Sequence, residues 1–283
     1  MMERDLVMVH NRELHVRVWN RGAASTVMCW HGLARNGADF EPLGEALAAQ
    51  GFQVLAPDTP GRGLSQWAED PAREYQLPVY ADQALALLDH YRVDRLQWVG
   101  TSMGGLLGIV LASNALAGRL DRLVLNDIGP ELPTAALRRI VDYVRNPECY
   151  SSLSAFEQRI RELYAPFGPR DDQSWHQMAV DGSRRLPDGR FAPHYDPDII
   201  GAFDESAPPL DLWSAFSSIQ CPILVVQGGE SDVLTDNIVA RMQSRASSLK
   251  VVQIAGCGHA PGLHLNEHLV PLLSFLNKTA LQE

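Results

Sequence analysis

The chain carries a serine, a histidine and a carboxylate in glycine-lined settings, and together these groups can make an alcohol nucleophilic. A serine hydroxyl is almost wholly protonated at neutral pH, so it needs a base, and the base needs a carboxylate to orient it. Ser102 lies in the run Trp98-Val99-Gly100-Thr101-Ser102-Met103-Gly104-Gly105, with Gly100 and Gly104 two residues to either side. That spacing marks a sharp strand-to-helix turn holding the serine in a strained backbone conformation, where larger flanking residues would collide with the strand and the helix. His259 closes the run Ala255-Gly256-Cys257-Gly258-His259 and is the expected base, because His264 and His268 fall in or near the last helix, where imidazoles commonly pack or face solvent. Asp232, in Gly228-Gly229-Glu230-Ser231-Asp232, is the expected acid: its loop is glycine-rich, and the order Ser, acid, His runs along the chain. The same aspartate also suits a cap for the helix that follows, and Glu230 is a more distant candidate.

These groups must be carried on elements that end at one edge. Leu6 to Val9 and Leu14 to Trp19 read as an antiparallel opening hairpin, and Thr26-Val27-Met28-Cys29-Trp30 as a buried strand ending at His31-Gly32. Phe40, Leu43 and Leu47 mark a helix face, Phe52 to Ala56 the next strand, and Val79 to Tyr91 a helix. Arg95 to Val99 is a buried strand leading to Ser102, and Leu106, Leu107, Ile109, Val110 and Leu111 continue as a helix apolar nearly all round. Further strands follow at Arg122 to Asn126, Pro222 to Val226 and Leu249 to Ile254, with helices at Asp236 to Arg245 and Leu265 to Leu276. Repeated strand-then-helix order implies a parallel sheet covered on both faces, with the site at its carboxyl edge. Regularity breaks at Gly129-Pro130 and returns at Pro222. The stretch between is rich in aromatics, with helical patterns at Thr134 to Val144 and Ser154 to Tyr164 and a loop around Leu186-Pro187-Asp188-Gly189, and reads as an inserted lid.

With 283 residues the chain suits one α/β domain carrying an insertion. A net charge of -10 argues against nucleic-acid binding, and Arg138-Arg139 and Arg184-Arg185, the densest basic spots, read as solvated positions. The charged start Met1-Met2-Glu3-Arg4-Asp5 does not resemble a secretory signal, and no stretch is long enough to span a bilayer, so the expectation is a cytoplasmic protein without a membrane partner. The four cysteines are scattered, Cys29, Cys149, Cys221 and Cys257, which suggests reduced thiols and neither a zinc site nor a disulfide framework. No metal and no cofactor is expected. His10 with His15, and His194 with Asp196 and Asp198, lack convergent ligand spacing. Monomer and homodimer are equally compatible with the sequence.

Five motifs occur in order: His31-Gly32, the loop Asp58-x-Pro60-Gly61-x-Gly63-x-Ser65, the turn at Ser102, Gly-x-x-Ser-Asp ending at Asp232, and Gly-His at His259. From Thr26 to the last helix the chain thereby resembles the α/β-hydrolase superfamily. The resemblance implies an eight-stranded, mostly parallel sheet with helices on both faces, residues 1–130 and 218–283 forming the core and 131–217 a mainly helical lid. It implies an oxyanion hole made by the backbone N–H groups of Leu33 and Met103, supported by His31 and Gly32, with His31 a structural hydrogen-bonder. It also supplies Asp127 as the alternative acid, since some relatives carry their carboxylate after the preceding strand, and it makes the Asp58, Arg62, Ser65 loop a scaffold turn.

The activity implied is serine hydrolysis of a carboxylic ester with a small to medium apolar acyl group through an acyl-enzyme, the partner being a small-molecule acyl substrate. Serine at the turn, where relatives acting on epoxides and haloalkanes carry aspartate, disfavours those chemistries. Carbon–carbon cleavage, perhydrolysis, lactone opening and amide hydrolysis use the same triad, although Ala260-Pro261 replaces the Trp that often follows the histidine in carbon–carbon hydrolases. A ligand receptor keeping the hydrolase fold is the alternative from another class. Asn126-Asp127-Ile128-Gly129-Pro130 is similar to a run in some bacterial intracellular hydrolases, including ones acting on short hydroxyalkanoate oligomers. The lid aromatics Phe156, Tyr164, Phe167, Trp175, Phe191, Tyr195, Phe203, Trp213 and Phe216 are expected partly to line an apolar pocket.

Overall fold

The short runs of branched apolar residues become strands of one sheet. The structure is a computed structural model that describes residues 1–201 and 210–277. An opening hairpin, β1 (Met2–Val9) and β2 (Arg12–Trp19), turns at His10 and Asn11, both at positive φ. It is followed by β3 (Thr26–Trp30), α1 (Glu41–Ala49), β4 (Gln53–Pro57), a short α2 (Pro71–Glu74), α3 (Leu77–His90) and β5 (Leu96–Thr101). Next come α4 (Met103–Ala112) and β6 (Leu120–Asn126). The inserted stretch supplies α5 (Thr134–Arg145), α6 (Leu153–Leu163), α7 (Asp172–Gly182), a ribbon of β7 (Ser183–Arg185) and β8 (Phe191–Pro193), and α8 (Trp213–Ser217). The chain then returns through β9 (Ile223–Gly228), α9 (Asp236–Arg245), β10 (Leu249–Ile254) and α10 (Asn266–Leu276).

Eight strands form the main sheet in the order β1-β2-β4-β3-β5-β6-β9-β10, and only the pairs made by β2 are antiparallel. The chain leaves β3 for β4 on one side and then crosses to β5 on the other, so the strand order reverses at β3. Loops leaving the carboxyl ends of β3 and β5 therefore part and open a crevice, which is where ligands bind in sheets of this kind. His31 to Leu33 and Ser102 stand at its two lips.

Apolar side chains on both faces hold the sheet in place. Leu43 and Leu47 of α1 with Leu272 and Phe275 of α10 cover one face, and Leu87 of α3, Leu107 of α4 and Met242 of α9 cover the other. Each fully buried leucine contributes about 1.5–3 kcal/mol. Trp30 and Trp98 stack at 5.7 Å between centroids beneath the crevice. None of the helices among the described residues is long and apolar enough to cross a membrane.

In the inserted stretch, α5 buries Ala136, Ile140, Val141 and Val144 along one face, the periodicity the sequence predicts. A local core of Phe156, Ile160, Tyr164, Trp175, Met178 and Ala179 joins α6 to α7. Sequence reasoning missed α7, whose eleven residues bury only three side chains, and the β7–β8 ribbon; the loop at Leu186 to Gly189 is that ribbon's turn. Helix α8 packs Trp213 and Phe216 into the main core.

Candidate active site

Strand β5 delivers Ser102 to a turn at φ 51°, ψ −114°, and α4 begins at the next residue. This backbone conformation costs of order 1–3 kcal/mol and survives because its surroundings leave no alternative. Neither glycine flank has room for a side chain: a Cβ on Gly100 would overlap the Gly104 carbonyl, and one on Gly104 would overlap the Trp30 carbonyl. The Ser102 N–H donates to Asn126 O at 3.1 Å, tying the turn to the end of β6.

His259, on the loop after β10, places Nε2 2.9 Å from Ser102 Oγ and Nδ1 2.8 Å from Asp127 Oδ2. A carboxylate beside Nδ1 selects the Nδ1–H tautomer, which leaves a lone pair on Nε2 facing the hydroxyl. Asp127 is fully buried at φ 54°, and its N–H donates to Val226 O at 2.8 Å. Its Oδ1 accepts from Gly228 N–H at 2.7 Å, and its Oδ2 also accepts from Ser231 Oγ at 2.6 Å. The Ser231 oxygen in turn accepts from Val233 N–H and Leu234 N–H, which leaves its one proton for Asp127. Asn126 Nδ2 bridges Thr101 Oγ1 and Pro261 O, clamping the loop of His259 to the end of β5.

The expected acid, Asp232, does not reach the imidazole, and this corrects the sequence reading. Between neighbours in one loop, Ser231 turns inward to Asp127 while Asp232 turns outward. Both Asp232 oxygens accept from Arg139 of α5, Oδ2 from Nε and Oδ1 from Nη2, each at 2.8 Å, with both side chains about half exposed. The alternative acid, Asp127, holds the place beside His259. Arg139 is thus solvated, as read from sequence, and is also an ion-pair partner across the pocket mouth. Ser231 was not anticipated, because nothing in its local pattern separates an inward hydroxyl from a cap.

The turn after β3 faces the nucleophile: a Cβ on Gly32 would lie 3.6 Å from Ser102 Cβ. His31 is fully buried, donates from Nδ1 to Gly32 O at 2.7 Å, and accepts at Nε2 from Thr59 N–H at 2.9 Å. Burial lowers its pKa to about 4, so the ring is neutral and acts as a fixed strut. The carbonyl it holds shares a peptide plane with the N–H of Leu33, so the strut sets where that donor points. Met103, the first residue of α4, has an N–H beyond the reach of any intrahelical acceptor, at the positive end of the helix dipole.

Arg62 also bears on this turn, a link that reading its loop as scaffold alone did not show. Fully buried between the rings of Tyr75 and Tyr80, it donates from Nε to Leu33 O at 2.9 Å and from Nη1 to Pro60 O and Tyr80 Oη, with Nη2 3.8 Å from Met103 Sδ. It therefore touches both residues expected to donate to an oxyanion. Asp58 is scaffold: its carboxylate accepts from Gly37 N–H, Leu64 N–H, Arg17 and His15, and these partners hold its pKa far below the usual range.

Ser102 and His259 open into a cavity of about 280 Å³, lined by Leu33, Leu163, Tyr164, Phe167 and Leu263 together with three arginines, Arg35, Arg139 and Arg170. Ligand pockets for drug-sized molecules span roughly 300–1,000 Å³, so this space suits a short chain. Of the aromatics singled out from sequence, Tyr164 and Phe167 line it, joined by Tyr143. Phe156 and Trp175 pack in the local core with Phe191 against it, while Tyr195, Trp213 and Phe216 belong to the main core. Phe203 lies outside the described residues. The imidazole hydrogen-bonded to Ser102 is that of His259 and not of His264 or His268; His264 Nε2 donates to Pro169 O, and His268 is fully buried. All four cysteines are free.

A family model described as alpha/beta hydrolase fold matches residues 25–263. The chain is 34% identical over 247 residues to a 3-hydroxybutyrate-oligomer hydrolase of Cupriavidus necator, covering 83% of this chain and 82% of that one. It is 29% identical over 240 residues to an esterase of Mycobacterium tuberculosis, with 82% and 76% covered. A solved alpha/beta hydrolase from Novosphingobium aromaticivorans superposes with a TM-score of 0.88 at 32% identity, covering 97% of this chain and 98% of that one.

Proposed function

Because the chain belongs to the α/β-hydrolase fold family and is a hydrolase, we propose that it cleaves short carboxylic esters, with esters of small hydroxy acids as the substrate class, through an acyl-enzyme on Ser102. The observation that carries this reading is the continuous relay from Asp127 Oδ2 through His259 to Ser102 Oγ at 2.8 and 2.9 Å. His259 takes the Ser102 proton as Oγ attacks the carbonyl carbon, then gives it to the departing alcohol; a water activated by the same imidazole releases the acid. Asp127 keeps the tautomer and balances the imidazolium that forms. The N–H groups of Leu33 and Met103 receive the developing oxyanion, an arrangement in which each donor typically contributes about 10²-fold or more in rate. The described part of residues 131–217 acts as the lid, with Tyr143, Tyr164 and Phe167 closing the pocket over the substrate.

The hydroxy-acid class is supported by the size of the cavity and by the similarity to an oligomer hydrolase of that kind. The test has two arms. A fluorophosphonate is expected to add once, on Ser102, by intact mass and peptide mapping, and the Ser102→Ala variant is expected to stay unlabelled. Among p-nitrophenyl esters, acetate to hexanoate are expected to turn over with kcat/KM falling steeply by laurate. Rapid labelling with negligible turnover of every ester would refute ester cleavage, and no labelling would refute the serine mechanism.

A further inference from the structure

Of the three guanidinium groups lining the cavity, two are already committed. Arg35 donates from Nε and Nη2 to Asp39, and Arg139 does the same to Asp232. Arg170 has no carboxylate within ion-pair distance among the described residues, and its Nε is buried without a hydrogen-bond partner. Its guanidinium stands 5.8 Å from the ring centroid of Trp175. The Nη2 end lodges against Gly262, where a Cβ would overlap it, so the absence of a side chain there makes room for the cation three residues beyond His259.

Desolvation pulls the Arg170 pKa below the usual guanidinium value, the field of Asp39 partly offsets this, and Arg35 adds to it. Asp171, beside it in the chain, also offsets part of this through its field, but no carboxylate among the described residues pairs with the guanidinium. Asp39 is held by Arg35, and Asp232 by Arg139; Glu230 is exposed at the rim. His264 donates to Pro169 O, and burial together with Arg170 lowers its pKa, which favours the neutral ring. A half-buried cation without a carboxylate partner keeps a desolvation cost that a bound anion offsets, and a planar carboxylate matches the guanidinium fork.

We infer that Arg170 is an anion subsite of this pocket, binding a free carboxylate on the alcohol side of the scissile ester. The side follows from the loop: His259 hands its proton to the departing alcohol, and Arg170 packs on the backbone just beyond His259. A hydroxy-acid ester with a free acid end carries its carboxylate on that side. The inference rests on the ester-hydrolase reading and adds the group that selects charged over neutral substrates.

The test compares 3-(butanoyloxy)butanoate with its methyl ester in the native enzyme and in Arg170→Met. The expected result is a native preference for the anion that falls by about thirtyfold in Arg170→Met, mainly through KM, with Arg170→Lys intermediate. Reading the ratio of the two substrates removes any general loss of folding. An unchanged ratio would overturn the subsite. Should neither ester turn over, protection separates the two readings: 3-hydroxybutanoate, and not 3-hydroxybutanamide, is expected to slow fluorophosphonate labelling of Ser102 in the native protein and to lose that effect in Arg170→Met. Equal protection by acid and amide, or none from the acid, would overturn the subsite independently of ester chemistry.

Discussion

Replacing Asp127 by asparagine is the sharpest probe of the relay, because its neighbours dictate how the amide must sit. Gly228 N–H, fixed at the end of β9, needs an acceptor, so the amide oxygen takes the place of Oδ1. The NH2 group then occupies the place of Oδ2, facing His259 Nδ1 and Ser231 Oγ. Ser231 already accepts from two backbone N–H groups, so the amide can donate only to Nδ1. That forces the Nε2–H tautomer and puts a proton where the Ser102 hydroxyl needs a lone pair. The flipped amide would set donor against donor at Gly228 and cost about 1–3 kcal/mol. Turnover should fall by about 10⁴-fold, roughly 5 kcal/mol of transition-state stabilisation. Asp232→Asn breaks only a half-exposed ion pair, worth about 1 kcal/mol at most. Its rate should change by less than about fivefold. The assay is p-nitrophenyl butyrate turnover alongside the rate of Ser102 phosphonylation, with circular dichroism establishing that each variant is folded. A larger loss in Asp232→Asn, or Asp127→Asn within tenfold of the native rate, would refute the reasoning.

Arg62→Lys keeps the charge but cannot reach Leu33 O, Pro60 O and Tyr80 Oη together, so the Leu33 donor should shift and kcat fall by about 10²-fold with little change in KM; a kcat per titrated Ser102 within twofold of native would sink that positioning role. His31 links pH to stability. Above pH 6.5 it is neutral in both states, and between 6.5 and its folded value of about 4 the unfolded chain takes up a proton that the folded chain excludes. Stability should therefore fall as pH falls through that window, by roughly 3 kcal/mol from this group. Urea midpoints across the window should decline less steeply in His31→Gln, and equal slopes would show that the buried ring is not the cause.

Much was legible from sequence where function depends on local geometry. The glycines around Ser102, the apolar strand before it and the apolar helix after it specify the turn within a few residues, because steric clash at Gly100 and Gly104 is decided by chain neighbours and one adjacent strand. The base was legible for the same reason, since His259 follows a strand in a glycine-lined loop. The acid was not. Asp127 and Asp232 both follow parallel strands at the same sheet edge, and each has a local pattern consistent with the role. What separates them is that Asp127 turns under the adjacent strand to meet Gly228, Ser231 and His259, while Arg139 from a helix distant in sequence draws Asp232 outward. The positioning role of Arg62, read as part of a scaffold turn, and the place of Arg170 were not legible for a related reason: an arginine's role depends on which groups surround it, and Leu33, Tyr80 and Gly262 are brought to them only by packing. Sequence by itself determined the alternating elements and the nucleophile, both set by neighbours along the chain. Tertiary structure alone decided which carboxylate faces the imidazole and which cation is left without a partner, because both follow from contacts between segments far apart in sequence.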